Sequence, residues 1–252
     1  MSKSDRNVGV WKGQRCLSAG LRAVVLWACL AGPAARAQQV LVRANVADDT
    51  TTNAFGPNRR CFGHLFVGYG LVAGPAGPGA GLRYGPASAE LRGGGRLKLR
   101  LSQALAANLD LSYAYLRFEL AQNDRKTLPA PGLHRRESLA LHQLGADLSL
   151  RLNAGRRGNV VGRYLDLLAG GAWAAGTAHA TEDDPAPGVG AVATTERGLP
   201  YLRRWSGGVG ARLGIDRYAL VGRCRLSDAL RPVVGGGPEL PRWVLGLEVG
   251  LF

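Results

Sequence analysis

Long apolar runs are scarce in this chain. Beyond residue 37 every apolar stretch is broken within a few residues by Gly, Arg or Asp. A membrane-crossing helix needs about 20 mostly apolar residues, so none is expected there. Methionine occurs once and cysteine four times. Cys16 and Cys29 fall in the first 37 residues, which leaves Cys61 and Cys224. These are read as far apart in strand order, and no disulfide is expected. Acidic residues are also few, 18 against 32 basic ones, for a formal charge of +14. Residues 1–37 carry six of the basic residues and one acid, so the remainder holds 26 against 17, or +9. The basic residues are strewn over the chain rather than gathered in a patch. In an exported chain this excludes nucleic acid as a partner. Catalytic motifs are missing too. Gly74–Gly85 is rich in Gly and Pro, but no Gly-Lys-Ser/Thr follows it, so it is no phosphate loop. It reads as a flexible surface loop. No acid-Ser-His set can be assembled from the histidines His64, His134, His142 and His179. The chain is therefore expected not to be an enzyme and to need no cofactor. His179 lies near Glu182, Asp183 and Asp184, a set that reads as a solvated acidic loop before a weak cation site.

The N-terminus has the parts of an export signal. Lys3, Arg6, Lys12, Arg15 and Arg22 precede the short apolar stretch Ala23 to Gly32, and Ala35-Arg36-Ala37 offers a small-residue cleavage site. Residues 1–37 are expected to be a cleavable signal peptide and 38–60 a flexible N-terminal segment. Any membrane span in 61–252 must then be made of β-strands, because only helices and closed barrels satisfy their backbone groups in lipid.

Period-two alternation supports this. In Trp243–Phe252 the large apolar residues Trp243, Leu245, Leu247, Val249 and Leu251 alternate with Val244, Gly246, Glu248 and Gly250. Seven further segments alternate in the same way: Gly63–Ala73, Ala87–Leu101, Asn108–Leu120, Leu139–Leu152, Asn159–Ala174, Tyr201–Ile215 and Arg217–Ser227. Parity in the third changes near Leu116-Arg117-Phe118, which suggests a bulge or the end of the wall. The connections run long and short by turns. Gly74–Pro86, Ala121–Ser138, Ala175–Pro200 and Asp228–Pro241 are long. Ser102–Ala107, Asn153–Gly158 and the turn at Asp216 are short. Outer-membrane barrels have short periplasmic turns and longer external loops, and all seven connections keep that phase. Tyr69, Tyr115, Trp173, Tyr201, Trp205 and Trp243 fall toward the outer ends of their strands, with Tyr218 and Phe252 toward the inner ends. They are expected to form interface girdles. The fold expected is all-β, an eight-stranded antiparallel up-and-down transmembrane β-barrel.

With its Ala35-Arg36-Ala37 leader end, eight alternating segments and closing WVLGLEVGLF, the chain resembles the small porin-like outer-membrane β-barrel proteins of Gram-negative bacteria. The resemblance implies insertion into the outer membrane and recognition of the C-terminal strand by the barrel-assembly machinery. It implies no shared chemistry. Outer-membrane lipid and lipopolysaccharide are the expected partners of the basic surface, and a monomer is expected.

An eight-stranded barrel is narrow enough for side chains to fill it. The inward phase holds Arg96, Arg100, Asp110, Asp147, Arg151, Asp166, Arg212, Arg223, Arg225 and Glu248. Charges in a dry interior must pair. The first short turn is expected to set Arg100 opposite Asp110. A symmetric turn at Gly155–Gly158 would set Asp147 opposite Asp166, where the carboxylates share a proton or are bridged by arginine. The leading expectation is a barrel plugged by these charges, with a structural or loop-mediated interaction role. A narrow anion-preferring channel and a soluble periplasmic ligand-binding barrel stand as alternatives.

Overall fold

The computed structural model describes residues 55–155, 158–183, 190, 192–231 and 238–252. These all belong to the unit Thr52–Phe252. The expected signal peptide, residues 38–54, Arg156, Arg157 and Asp184 lie outside the described residues. The strands are β1 (Cys61–Ala73), β2 (Ala89–Arg100), β3 (Leu105–Glu119), β4 (Arg136–Ala154), β5 (Arg163–Asp183), β6 (Val192–Arg197), β7 (Trp205–Ile215), β8 (Tyr218–Arg225) and β9 (Trp243–Leu251).

All strand pairings are antiparallel. Following neighbours from β1 through β2, β3, β4, β5, β7, β8 and β9 returns to β1, so eight strands close a cylinder. Closure leaves the wall no free edge. Six of the seven wall connections join strands consecutive in the chain. The seventh, from β5 to β7, carries β6 as an insertion. One end of the cylinder bears the short connections 101–104, 155–162 and 216–217. The other bears 74–88, 120–135, 184–204 and 226–242. These are the turn end and the loop end. The β7–β8 turn is tight enough to put Asp216 at φ 52°, and its carboxylate accepts from the Gly162 amide at 3.0 Å. Asp tolerates that left-handed conformation better than most residues.

Two parts of the wall differ from expectation. The segment Ala175–Pro200 is not a plain loop. β5 runs on past the wall and folds back with β6, from Ala178↔Arg197 to Asp183↔Val192. Val and Thr in Val192–Arg197, and Thr177 and Thr181 on β5, favour strand. A β-bulge marks the change of partner: His142 pairs with Gly176 and Gln143 with Ala174, so Ala175 is the extra residue. Second, β3 keeps its parity to the end, pairing regularly with β4 as far as Glu119↔Ser138. Leu116 and Phe118 are inward and buried because the barrel interior at the loop end is apolar.

That apolar interior is a core. Val72, Leu116, Phe118, Leu120, Leu139 and Leu141 come from strand ends or their margins. Ala80, Leu82, Leu128, Leu199, Leu202, Leu230 and Leu240 come from the connections, and together they form one buried cluster. Gly74–Gly85 is tied into it, contrary to a flexible loop. Gly77 N–H donates to the Glu239 carbonyl at 2.7 Å, Arg83 N–H to the Glu119 carbonyl at 2.8 Å and Ala121 N–H to the Gly81 carbonyl at 2.9 Å. At the turn end Phe62, Val161, Tyr164, Ala219 and Val221 form a smaller cluster. Residues 55–60 lie beside it. The Asn58 side chain donates to the Gly158 carbonyl at 2.9 Å, and Lys98 Nζ reaches the Pro57 carbonyl.

Candidate functional site

Parity decides what faces the lumen. On β2, β3, β4, β5, β7 and β9 it turns Arg96, Asp110, Arg151, Asp166, Arg212 and Glu248 inward, at one level of the cylinder. Each is at most 3% exposed. Arg96 grips Asp110 with two hydrogen bonds, 2.8 and 2.9 Å, and reaches Glu248 at 2.6 Å. Arg151 grips Asp166 at 2.7 and 2.8 Å. Arg212 joins the two halves. It donates to Asp166 and to Asp110, each at 2.8 Å, and its Nε lies 3.2 Å from Glu248. Three guanidiniums thus meet three carboxylates in a neutral lattice across the lumen. Bidentate charge-assisted bonds of this kind are short and directional. Aromatic faces support it, with Arg151 3.6 Å from the Tyr164 ring centroid and Arg96 4.6 Å from that of Phe66.

A looser layer lies toward the loop end. Arg92 bonds Glu90 at 2.8 and 3.2 Å and Ser112 at 3.0 Å. Arg223 stands 3.8 Å from Glu90 and 3.9 Å from both Asp147 and Glu248. Above it is a cavity of about 100 Å³, lined by this layer, by Leu168 and Val244, and by Arg203, Asp228 and Arg242 from the connections. Asp147 has its place because its β5 neighbour is Gly170, where an added Cβ would collide with Asp147 Oδ1 and the Ala146 carbonyl. Gly170→Ala is expected to displace Asp147 and cost about 1–3 kcal/mol, as overpacking does. The midpoint of urea unfolding checks this.

The register brings together different partners from those expected. Arg96, not Arg100, is opposite Asp110. Arg100 sits at the turn end, donating to the Asn58 carbonyl at 2.6 Å. Arg151, not Asp147, is opposite Asp166, while Asp147 has Asp110 as its β3 partner. Arg225 lies apart from the lattice, bonding Glu239 at 2.8 Å near the loop end. Glu90 and Arg92, which alternation also sets on the face opposite the leucines of β2, complete the looser layer.

Outside the cylinder the pattern is inverted. Leu65, Leu91, Leu111, Leu148, Leu167, Leu213, Leu220 and Leu247 are all exposed, Leu148 by 66% and Leu247 by 67%. Tyr69, Tyr113, Trp205 and Trp243 are exposed on the same face toward the loop end, beside half-buried Tyr115 and Trp173, and Tyr218 is exposed near the turn end. Two expected girdle residues are elsewhere. Tyr201 precedes β7 and packs against the apolar loop core. Phe252 shares its phase with Glu248 and Gly250, so its ring turns to Phe62 and His64, at centroid distances of 5.4 and 5.1 Å. An apolar belt around a closed, ionic-cored sheet is far larger than the patches soluble monomers expose. The architecture is a closed eight-stranded antiparallel barrel with an ionic interior and an apolar outer belt.

Solved structures of Ail, the attachment invasion locus protein of Yersinia pestis, are similar to this chain. One, in complex with the heparin analogue sucrose octasulfate, superposes with a TM-score of 0.33 at 8% identity, covering 75% of this chain and 97% of that chain. Another gives a TM-score of 0.34 at 7% identity, with the same coverage. At these values the fold rests on the strand register above. No protein-family model matches the chain. The comparison with curated proteins returns no match.

The remaining candidates are dispersed. His179 bonds Glu137 at 2.8 Å, His134 bonds Asp183 at 2.6 Å and Arg135 meets Glu182 at 3.0 Å, so the expected acidic loop is cross-linked to β4 and its approach. Among the described residues no group of three His, Cys, Asp or Glu is placed to hold a metal. Cys61 and Cys224 are free thiols. No helix among the described residues is long and apolar enough to cross a membrane.

Proposed function

We propose that this chain is an integral outer-membrane barrel whose lumen does not conduct and whose role lies in its outer connections. The observation that carries this is the neutral lattice of Arg96, Arg151, Arg212, Asp110, Asp166 and Glu248, buried to 3% exposure or less. An ion entering it would have to displace charge-assisted bonds of 2.6–2.9 Å. The apolar loop core above adds a second barrier. A soluble periplasmic barrel, the alternative, would leave the leucine belt in water.

The loop end would face outward, with a monomer as the inserted form. Its surface suits two kinds of contact. Arg83, Arg117 and Arg136 converge on the single carboxylate of Glu119, at 3.3, 3.0 and 3.6 Å. This leaves positive charge beyond Tyr113 and Tyr115, at the level for phosphates of outer-leaflet lipid and lipopolysaccharide. Among the described residues β6 pairs only with β5, which leaves its second edge for an added strand from a partner. β9 pairs on both edges in the closed barrel. Its recognition by the assembly machinery would therefore precede closure.

Recording from the purified protein in planar bilayers tests the reading. The expected result is no unitary current, from protein whose unboiled band migrates differently from the boiled one. Discrete anion-selective steps from such protein would favour the narrow channel instead.

A further inference from the structure

The cavity above the lattice has two chemically different sides. On the floor, Arg92 is satisfied by Glu90 and Ser112, but Arg223 is not. Its Nε and Nη2 are buried without a hydrogen-bond partner, and the surrounding carboxylates stand 3.8–3.9 Å away. That is beyond direct hydrogen-bond reach, and buried donors are rarely left so. The walls, by contrast, include Leu116, Leu168 and Val244.

Charge decides the kind of ligand. Arg92, Arg203, Arg223, Arg225 and Arg242 line the cavity against Glu90, Asp147 and Asp228. Glu239 balances Arg225 at 2.8 Å and Asp228 balances Arg242 at 2.6 Å. Five guanidiniums against these four carboxylates leave one positive charge in excess. A pocket with an apolar wall, unpaired donors and one surplus positive charge selects a monoanion with an apolar body. A cationic amphiphile would meet like charge, and a neutral one would leave the surplus uncompensated.

We propose that this cavity binds the carboxylate of a medium-chain alkanoate on the Arg223 guanidinium, with the chain against Leu168 and Val244. Entry is between the β6–β7 and β8–β9 connections, which carry Arg203, Asp228 and Arg242 at the rim. The lattice closes the floor, so the ligand is held rather than passed through.

Titrating decanoate labelled with 13C at the carboxyl into the full barrel in a non-ionic detergent tests the proposal. The expected result is a saturable one-site shift of the carboxyl resonance. Decan-1-ol should compete about tenfold more weakly than decanoate, and Arg223→Gln should weaken decanoate by about tenfold or more, as loss of a charge-assisted bond does. Ala172→Trp fills the cavity from β5 without touching a lattice residue and should abolish the saturable shift. If Arg223→Gln does not give a heat-modifiable band, the Trp variant and the alcohol comparison decide. Identical shifts in wild type and the Trp variant would mean partition into micelles only and overturn the proposal. So would the absence of any saturable shift, with water alone serving Arg223.

Discussion

Arg212→Met is expected to destabilise the barrel by about 3–5 kcal/mol, the cost of removing one partner from a buried ion pair. Arg212 is the residue shared by both halves of the lattice, bonding Asp110 and Asp166 at 2.8 Å each. Without it three carboxylates face only Arg96 and Arg151, and one negative charge is buried uncompensated. Methionine fills much of the volume, so the loss is electrostatic rather than a cavity. Adding Asp166→Asn to Arg212→Met restores neutrality and is expected to recover part of the stability. Urea midpoints of tryptophan fluorescence for the folded protein measure both variants. An unchanged midpoint for the single variant would show that water, not the lattice, solvates these carboxylates.

Which residues face the lumen was legible from parity alone, because period two assigns every side chain to a face. Which residues meet was not. Arg100 was matched to Asp110 and Asp147 to Asp166. The observed pairs are Arg96 with Asp110 and Arg151 with Asp166. Both differences are shifts of four in register. An even shift keeps every side chain on its face, so alternation cannot detect it. The turn sets the register. At 101–104, Ser102 Oγ accepts from the Ala104 and Leu105 amides at 3.2 and 3.0 Å, and Leu101 N–H bonds the Leu105 carbonyl at 3.0 Å. This closes the hairpin sooner than Ser102–Ala107 would.

The loop core escaped for a different reason. Taking apolar residues as outward works wherever the interior is ionic, and it located eight wall strands and the phase of their connections. At the loop end the interior is apolar, so the rule inverts. The signal was present at Leu116-Arg117-Phe118, where an apparent parity switch marked a change in the lumen rather than in the strand. Val72, Leu139, Leu141 and Val244 carry the same inward apolar phase at the ends of their strands. Isolated leucines in Gly- and Pro-rich connections, such as Leu82, Leu202 and Leu230, had no periodicity to reveal them. They are buried because connections far apart in sequence meet over the mouth.

The proposed membrane insertion is open to one decisive substitution on the leucine belt. Leu148 lies midway along the outward row of β4, between Leu144 and Leu152, with Leu109 and Ala169 as its strand partners. It is 66% exposed, and in a water-soluble barrel Leu148→Arg would change stability by no more than about 0.5 kcal/mol. In a bilayer the guanidinium enters hydrocarbon near the midplane, at a cost of about 2–4 kcal/mol. Ser149, the next residue, faces the lumen and accepts one hydrogen bond from Asn108 at 2.9 Å. Ser149→Ala is expected to cost about 1 kcal/mol. The two side chains therefore reverse the order that a soluble sheet dictates, where the exposed position tolerates charge and the buried one resists change. Reversible urea unfolding in phospholipid vesicles measures both. A Leu148→Arg variant as stable as wild type, with Ser149→Ala weaker, would place the leucine belt in water and remove the membrane from the account of this fold.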